Sequence, residues 1–263
     1  MDSGVITRKA TWVRPVWSWL KRYYSVFLLL AIYEALGRLG LVPPRLFPSL
    51  IVIGKQLWKY LENGDLIFHA SITLYRALVG FLLAFIVGGC LGTAMARSRL
   101  VEVLVDPIFR FGYPIPKIAL YPVFIFIFGF GTESKIALVF LECLFPIAIH
   151  FHAGILSTPK VLIWAAENMG ASRIAIFFRV LLPAALPMIF TGIRIALPVA
   201  LIITIVTEII GESQGLGYFV TFASASYEYA RALAAFALIA FIGFVIDRLL
   251  LFVRDRVVFW RAA

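Results

Sequence analysis

The sequence predicts an all-α membrane protein, one transmembrane domain over residues 1–263 with about six transmembrane helices. Three observations carry this. Of the 263 residues, 62% are hydrophobic and only 14% charged, with a mean hydropathy of +0.98. Ordinary soluble domains are about 45–50% apolar and about 25% charged, so a single soluble core cannot absorb this much apolar surface. Apolar runs of bilayer-crossing length recur along the chain, and the basic residues gather in the short segments between them.

The runs fall at 24–42, 72–96, 113–131, 134–156, 186–210 and 231–253. Ahead of the first, Arg8, Lys9, Arg14, Lys21 and Arg22 precede Ser25 to Ile32 in the manner of a signal peptide. No small-residue cleavage site follows, and Tyr33, Glu34 and Arg38 continue a helical pattern, which predicts an uncleaved first span. Pro43, Pro44 and Pro48 then break the helix. Leu50, Ile53, Leu57 and Leu61 recur at helical spacing opposite Lys55, Gln56, Lys59 and Glu62, a short helix either lying at the outer surface or packed on the bundle.

The second run carries Ala84, Gly88, Gly92 and Ala96 at four-residue spacing, a stripe that lets another helix approach closely. The third opens with YPIPKIALYP, whose Pro114, Pro116 and Pro122 each remove a backbone donor. Broken helices at membrane depth survive only where protein or a water-filled cavity satisfies the freed carbonyls, so this segment is either path-lining or a simple kink. Between the fourth and fifth runs lies STPKVLIWAAENMGASRIAIFFRVLLPAALP. Thr158 reads as an N-cap with Pro159 in the first helical position, and Gly170 suits a left-handed stop. Ser172 then caps a second short helix from Arg173 to Leu182, closed by Pro183 and Pro187.

Basic residues mark one side of the membrane at the N-terminus, at Arg97, Arg99 and Arg110, at Lys160, Arg173 and Arg179, and at Arg248, Arg254, Arg256 and Arg261. The other side has chiefly Arg45, Lys55, Lys59 and Lys135, and residues 211–230 contain none, which predicts cytoplasmic termini. The net charge of +10 therefore belongs to membrane topology and not to nucleic-acid binding. Cys90 and Cys143, both inside apolar runs, read as small buried hydrophobes. No cluster has metal-ligand spacing, no nucleophile, base and orienting group assemble into an enzyme site, and no G-x-x-x-x-G-K-[ST] phosphate loop is present.

Ionisable groups inside apolar runs are functional candidates by default. Arg76 and Arg194 lie near predicted helix ends and read as snorkelling side chains, and His150 as hydrogen-bonded packing. Lys117, Glu142, Thr204, Thr207 and Glu208 are the candidates for a solute path, with structural roles open for each and a Lys117–Glu142 ion pair possible.

In the loop after the fourth run, Ala165-Ala166, three residues, Gly170, nine residues, Val180 and then Leu182-Pro183 resemble the EAA loop of ABC importer permeases. That pattern reads E-A-A, three residues, G, nine residues, I-x-L-P. Trp164 stands where its first Glu would fall, and Glu167 follows three residues later. FGFGTESKIAL at 128–138, PAALPMIFTGIRIAL at 183–197 and EIIGESQGLGY at 208–218 are similar to the branch of nitrate, bicarbonate, taurine and alkanesulfonate permeases, so the resemblance covers roughly residues 65–245.

The resemblance implies a type I ABC importer permease (MetI-like) fold with a core over about 65–250 and a cytoplasmic coupling loop over about 157–185. The coupling residues it implies are Ala165, Ala166, Glu167, Met169, Gly170, Ala171, Ser172 and Arg173. It further implies a second permease copy or paralogue, two ATP-binding subunits that hold the ATP and Mg while this chain holds no cofactor, and an extracytoplasmic solute-binding protein. The setting is the lipid of a bacterial cytoplasmic (inner) membrane and the cargo a small solute, an anion first. The alternative is a secondary transporter or channel working without ATP. Such transporters often have two similar halves, and no internal repeat is visible here.

Overall fold

The computed structural model describes the backbone of residues 13–261 and the side chains of 24–260. Arg8 and Lys9, and the side chains of Arg14, Lys21, Arg22 and Arg261, lie outside the described residues. In chain order the helices are α1 (Val13–Arg38), α2 (Leu50–Glu62), α3 (Asp65–Arg97), α4 (Arg99–Gly112), a 3-10 turn (Lys117–Leu120), α5 (Tyr121–Phe128), α6 (Thr132–Leu156), α7 (Lys160–Asn168), α8 (Arg173–Ile176), a π segment (Phe177–Leu181), α9 (Leu182–Ile209), α10 (Leu216–Ala225) and α11 (Tyr229–Val257).

Among the described residues, four helices are long and apolar enough to cross a membrane: α3, α6, the continuous stretch Arg173–Ile209, and α11. A fifth span is reached only by joining α4 to Lys117–Phe128 across a 91° bend. The described residues thus give four or five spans beside the expected count of about six. The first predicted run is helical to Arg38, but Lys21, Arg22, Glu34 and Arg38 dilute its apolar character. Its far end is tied down instead, by the Tyr33 hydroxyl donating to the Pro48 carbonyl at 2.9 Å and the Leu50 N–H donating to Glu34 at 3.0 Å. The third predicted run is no single helix. Pro114 and Pro116 break it, and α5 has only 8 residues, about 12 Å of the roughly 30 Å a span needs.

The centre is the packing of α3, α6 and α9. An added Cβ at Gly80 would meet Val139 Cγ1 at 2.6 Å, one at Gly88 would meet the Leu144 carbonyl at 3.0 Å, and one at Gly92 would strike the Ala148 carbonyl. Contacts that advance together along both helices mean that α3 and α6 run parallel. The predicted small-residue stripe is this seam. Gly154 against Ala185 and Gly192 against His150 set α9 antiparallel to α6. Phe81, Leu138, Cys143, Ile147, Ile189 and Leu201 fill the space between them. Because lipid is as apolar as these side chains, close packing and not water exclusion holds such a seam.

A second cluster joins the start of α3 to α10 and α11 through Leu66, Leu216, Phe219 and Ala232, with Leu57, Tyr60 and Leu61 of α2 laid against it. The short helix after Pro48 is thus packed on the bundle. The most apolar window of α11 has no buried residue, so Phe241, Phe244 and Phe252 face outward. Cys143 is buried but Cys90 is exposed, which corrects the reading of both as buried. It lies on the outward face of α3, beside Ile86 and Val87.

Candidate coupling elbow and polar clusters

Arg97, Leu156, Arg173 and Val257 mark one end of the bundle, and there the chain makes an elbow. α7 closes with the Gly170 N–H donating to the Glu167 carbonyl at 2.9 Å and the Ala171 N–H to the Ala166 carbonyl at 3.0 Å. This pair of bonds is a Schellman motif. It needs a left-handed residue at its turn, and Gly170 has φ +75°. Ser172 follows as the N-cap of α8, its hydroxyl accepting from the Ala175 N–H at 3.3 Å.

Two predicted details of the elbow are corrected. Thr158 does not cap α7: Pro159 occupies the cap position, and the buried Thr158 hydroxyl has no hydrogen-bond partner among the described residues. Nor do Pro183 and Pro187 close a separate second helix. The chain runs from Arg173 to Ile209 without interruption. The π segment makes this possible, since the Leu182 N–H reaches five residues back to Phe177 and the widened turn absorbs the donor missing at Pro183. The first turn after Gly170 is therefore welded to the longest helix of the fold.

The elbow's outer surface is apolar. Met169 is 80% exposed, and Val161, Trp164, Ile174 and Phe178 are exposed beside it. Of the coupling residues named from sequence, Ala166 is buried against the bundle while Ala165, Glu167, Met169, Gly170, Ser172 and Arg173 are exposed and Ala171 is intermediate. A groove of about 400 Å³ runs between α7 and the start of α9, lined by Leu162, Ala165, Met169, Arg179 and Val180.

Halfway along α6 stands the first polar cluster. Lys117 Nζ lies 3.6 Å from Glu142 Oε2. It also donates to the Tyr113 carbonyl at 3.2 Å and sits 4.5 Å from the Phe145 ring centroid. Broken backbone supplies acceptors where the prolines interrupt the helix, and the lysine fills them. His150 Nδ1 is 2.7 Å from the Pro146 carbonyl, the packing role expected of it.

The other end of the bundle holds a second cluster that sequence reasoning named only in part. Arg76 Nη1 is 2.9 Å from Glu208 Oε1, and Nη2 is 3.3 Å from Glu212. Lys135, fully buried, pairs with Glu212 and donates to the Phe130 carbonyl at 2.9 Å. The Thr73 hydroxyl donates to Glu208 at 2.8 Å, and the Gly217 N–H completes that carboxylate's shell at 3.0 Å. Arg76 does not snorkel, because two acids and the Gln214 carbonyl meet it inside. Thr204 and Thr207 are fully buried with hydroxyls on their own helix's carbonyls. The structure thus brings Lys117 to Glu142, and Glu208 to Arg76, in separate places.

Thr73, Lys135 and Glu212 escaped the reading of sequence. The signal was the glycine spacing in EIIGESQGLGY. Gly215 has φ +108°, and any Cβ there would fall on the Glu208 carboxylate, while a Cβ at Gly217 would strike the Ile205 carbonyl. Those glycines exist to let the loop close over Glu208.

Residues 80–259 match the family described as binding-protein-dependent transport system inner membrane component. The chain belongs to that family. This permease is 32% identical over 259 residues to the taurine transport system permease protein TauC of Escherichia coli, with 93% of each chain covered. It is 30% identical over 248 residues to an aliphatic sulfonates transport permease protein, SsuC, of Bacillus subtilis, covering 94% of this chain and 90% of that one. Among solved structures, an inward-facing MetNI methionine ABC transporter has a chain with a TM-score of 0.57 at 23% identity, covering 80% of this permease and 96% of that chain. An amino acid ABC transporter has one at 0.59 and 16% identity, covering 77% and 96%. These likenesses establish the MetI-type permease fold, the class expected from sequence.

Proposed function

We propose that this permease is the membrane-spanning half of an ATP-driven importer for small organic anions of the sulfonate kind. In this reading the elbow faces the cytoplasm, both termini lie there, and residues 165–173 seat in a groove of an ATPase subunit. A second copy or paralogue completes the path, and an extracytoplasmic binding protein delivers the solute.

The observation that carries the reading is the construction of the elbow. A permease without a phosphate loop must receive the work of ATP hydrolysis mechanically. The Gly170 turn sets α7 at a fixed angle, an exposed apolar surface surrounds it, and α8 continues rigidly into α9. A push at Met169 is delivered to the whole of α9, which packs on α6. Such coupling requires only that the ATPase contact the elbow differently in two states. The basic residues at this end, Arg97, Arg99, Lys160, Arg173, Arg179, Arg248, Arg254 and Arg256, support its cytoplasmic placement. The taurine and aliphatic sulfonate permeases among its relatives support the solute class.

The test is uptake by proteoliposomes holding the permease, its ATPase subunits and its binding protein. ATP-dependent accumulation of taurine or an alkanesulfonate is expected. Uptake by the permease alone, without ATP or partners, would instead favour a secondary transporter. An assembled complex that moves no sulfonate would overturn the solute assignment.

A further inference from the structure

α4 presents two exposed faces of opposite chemistry. Leu104, Ile108 and Phe111 are 63%, 63% and 79% exposed on one. On the other, Arg99, Glu102, Asp106 and Arg110 follow at steps of three and four residues, which places them in one row along the helix. They are paired along that row, Arg99 with Glu102 at 2.8 Å and Arg110 with Asp106. Beyond the break at Tyr113–Pro116 stands the Lys117–Glu142 pair.

This row does not stay at the membrane surface. α4 begins where α3 ends, yet its last turn stacks Phe109 on Phe145 with ring centroids 4.8 Å apart. A cleft of about 260 Å³ opens beside it, lined by Asp106, Arg110 and Tyr113 from α4 and its break and by Ile149 and His152 from α6. Phe145 and Ile149 stand roughly 10–16 Å inside the α6 end at Leu156, at 1.5 Å per residue. Even so, the Arg110 side chain is 76% exposed. The cleft reaches from that depth toward the helix ends at Met95 and His152, and a guanidinium within it is costly in hydrocarbon and faces water or protein.

Two features of the cleft suit an oxyanion. Arg110 uses only Nε on Asp106, and its two terminal nitrogens have no hydrogen-bond partner among the described residues. His152 Nε2 is buried with no hydrogen-bond partner among the described residues, 3.7 Å from Glu102. A guanidinium fork binds a planar or tetrahedral oxyanion through two parallel N–H bonds. The acids on the row, Glu102, Asp106 and Glu142, pair with its cations.

We infer that the charged face of α4, from Asp106 through Arg110 to the Lys117–Glu142 pair, lines the aqueous solute path and that Arg110 is the contact for the solute's sulfonate or comparable oxyanion. The inference rests on the importer reading and extends it to residues of that path. The apolar face of α4 turns to lipid.

The test uses the assembled importer in proteoliposomes with Cys90→Ala and Cys143→Ala. Arg110→Cys and Ile108→Cys are introduced separately, and labelling by a sulfonatoethyl methanethiosulfonate is read by mass, with and without ATP. Arg110→Cys is expected to react at least about tenfold faster than Ile108→Cys, because one face meets water and the other lipid. Equal rates, or an unreactive position 110 in every state because lipid or a second copy covers it, would overturn the inference. In uptake, Arg110→Gln should lose about tenfold and Arg110→Lys less, since lysine keeps the charge without the fork. Unchanged uptake in Arg110→Gln would also overturn it. Labelling needs no transport, so a labelled complex that imports nothing counts against the importer reading. An unreactive position 110 in a transporting complex counts against this one.

Discussion

Arg76 and Glu208 sit 2.9 Å apart across the α3–α9 contact, their side chains 3% and 0% exposed, and neither has water to fall back on. Removing Arg76 leaves the Glu208 charge buried without its counter-ion, and removing Glu208 leaves Arg76 only Glu212, which it shares with Lys135. Arg76→Met or Glu208→Gln alone should lower the stability of the purified permease by about 3–5 kcal/mol, and the double variant by less than the sum. The measurement is the thermal unfolding midpoint of each variant with the cycle completed. Additive effects would mean that the pair is not coupled.

The α3–α6 seam gives a steric prediction. Any side chain at Gly92 meets the Ala148 carbonyl, which belongs to a helix backbone and cannot turn aside. Gly92→Val should cost about 1–3 kcal/mol or prevent folding. Gly54→Ala, where a Cβ meets nothing within 4 Å, should be tolerated. Yield of monodisperse protein from membranes distinguishes the two.

At the elbow, Gly170 has open space around its Cβ position but φ +75°, so the objection to a side chain there is conformational. A β-branched residue is penalised by about 1–2 kcal/mol or more in this region. Gly170→Val should leave membrane integration near normal while weakening ATPase-subunit association or raising ATP consumed per solute imported. A variant with wild-type assembly and wild-type stoichiometry would remove residues 165–173 from the coupling role.

Glu212, in the loop between α9 and α10, feels burial, which raises its pKa. The Lys135 and Ser213 hydrogen bonds and the charges of Lys135 and Arg76 outweigh it, and the carboxyl is held below its usual range. A carboxyl depressed in the folded state contributes stability that is present above its unfolded value, about pH 4.3, and is lost as pH falls through the folded value. Thermal midpoints of the wild type should therefore drop on acidification below about pH 4.3 more steeply than those of Glu212→Gln. Parallel curves would show that Glu212 does not hold the loop.

Much of this was legible from spacing. The Ala84-Gly88-Gly92-Ala96 stripe needed only a four-residue period, and Gly170 followed by Ser172 spelled out a stop and a cap. The charged row on α4 was equally present, at steps of three and four, but it lay outside the apolar run assigned to the third span. Where residues were read one at a time the result was poorer. Arg76 looked like a helix-end arginine because nothing local distinguishes a snorkelling side chain from a buried one, and its acidic partners lie more than 130 positions away.

The sequence by itself determined that this chain is helical, lives in a membrane and carries a tight elbow, because composition, period and capping are local properties that each residue expresses without its neighbours in space. Tertiary structure decided what length and hydropathy could not. It broke the third run into α4 and α5, welded α8 to α9 through a π segment, and sorted the polar residues into one cluster about Lys117 and another about Glu208. The physical reason is that a charge inside a membrane is tolerable only beside its partner or beside water. Which of these it has depends on where α3, α6 and α9 come together, and no stretch of sequence contains that information alone.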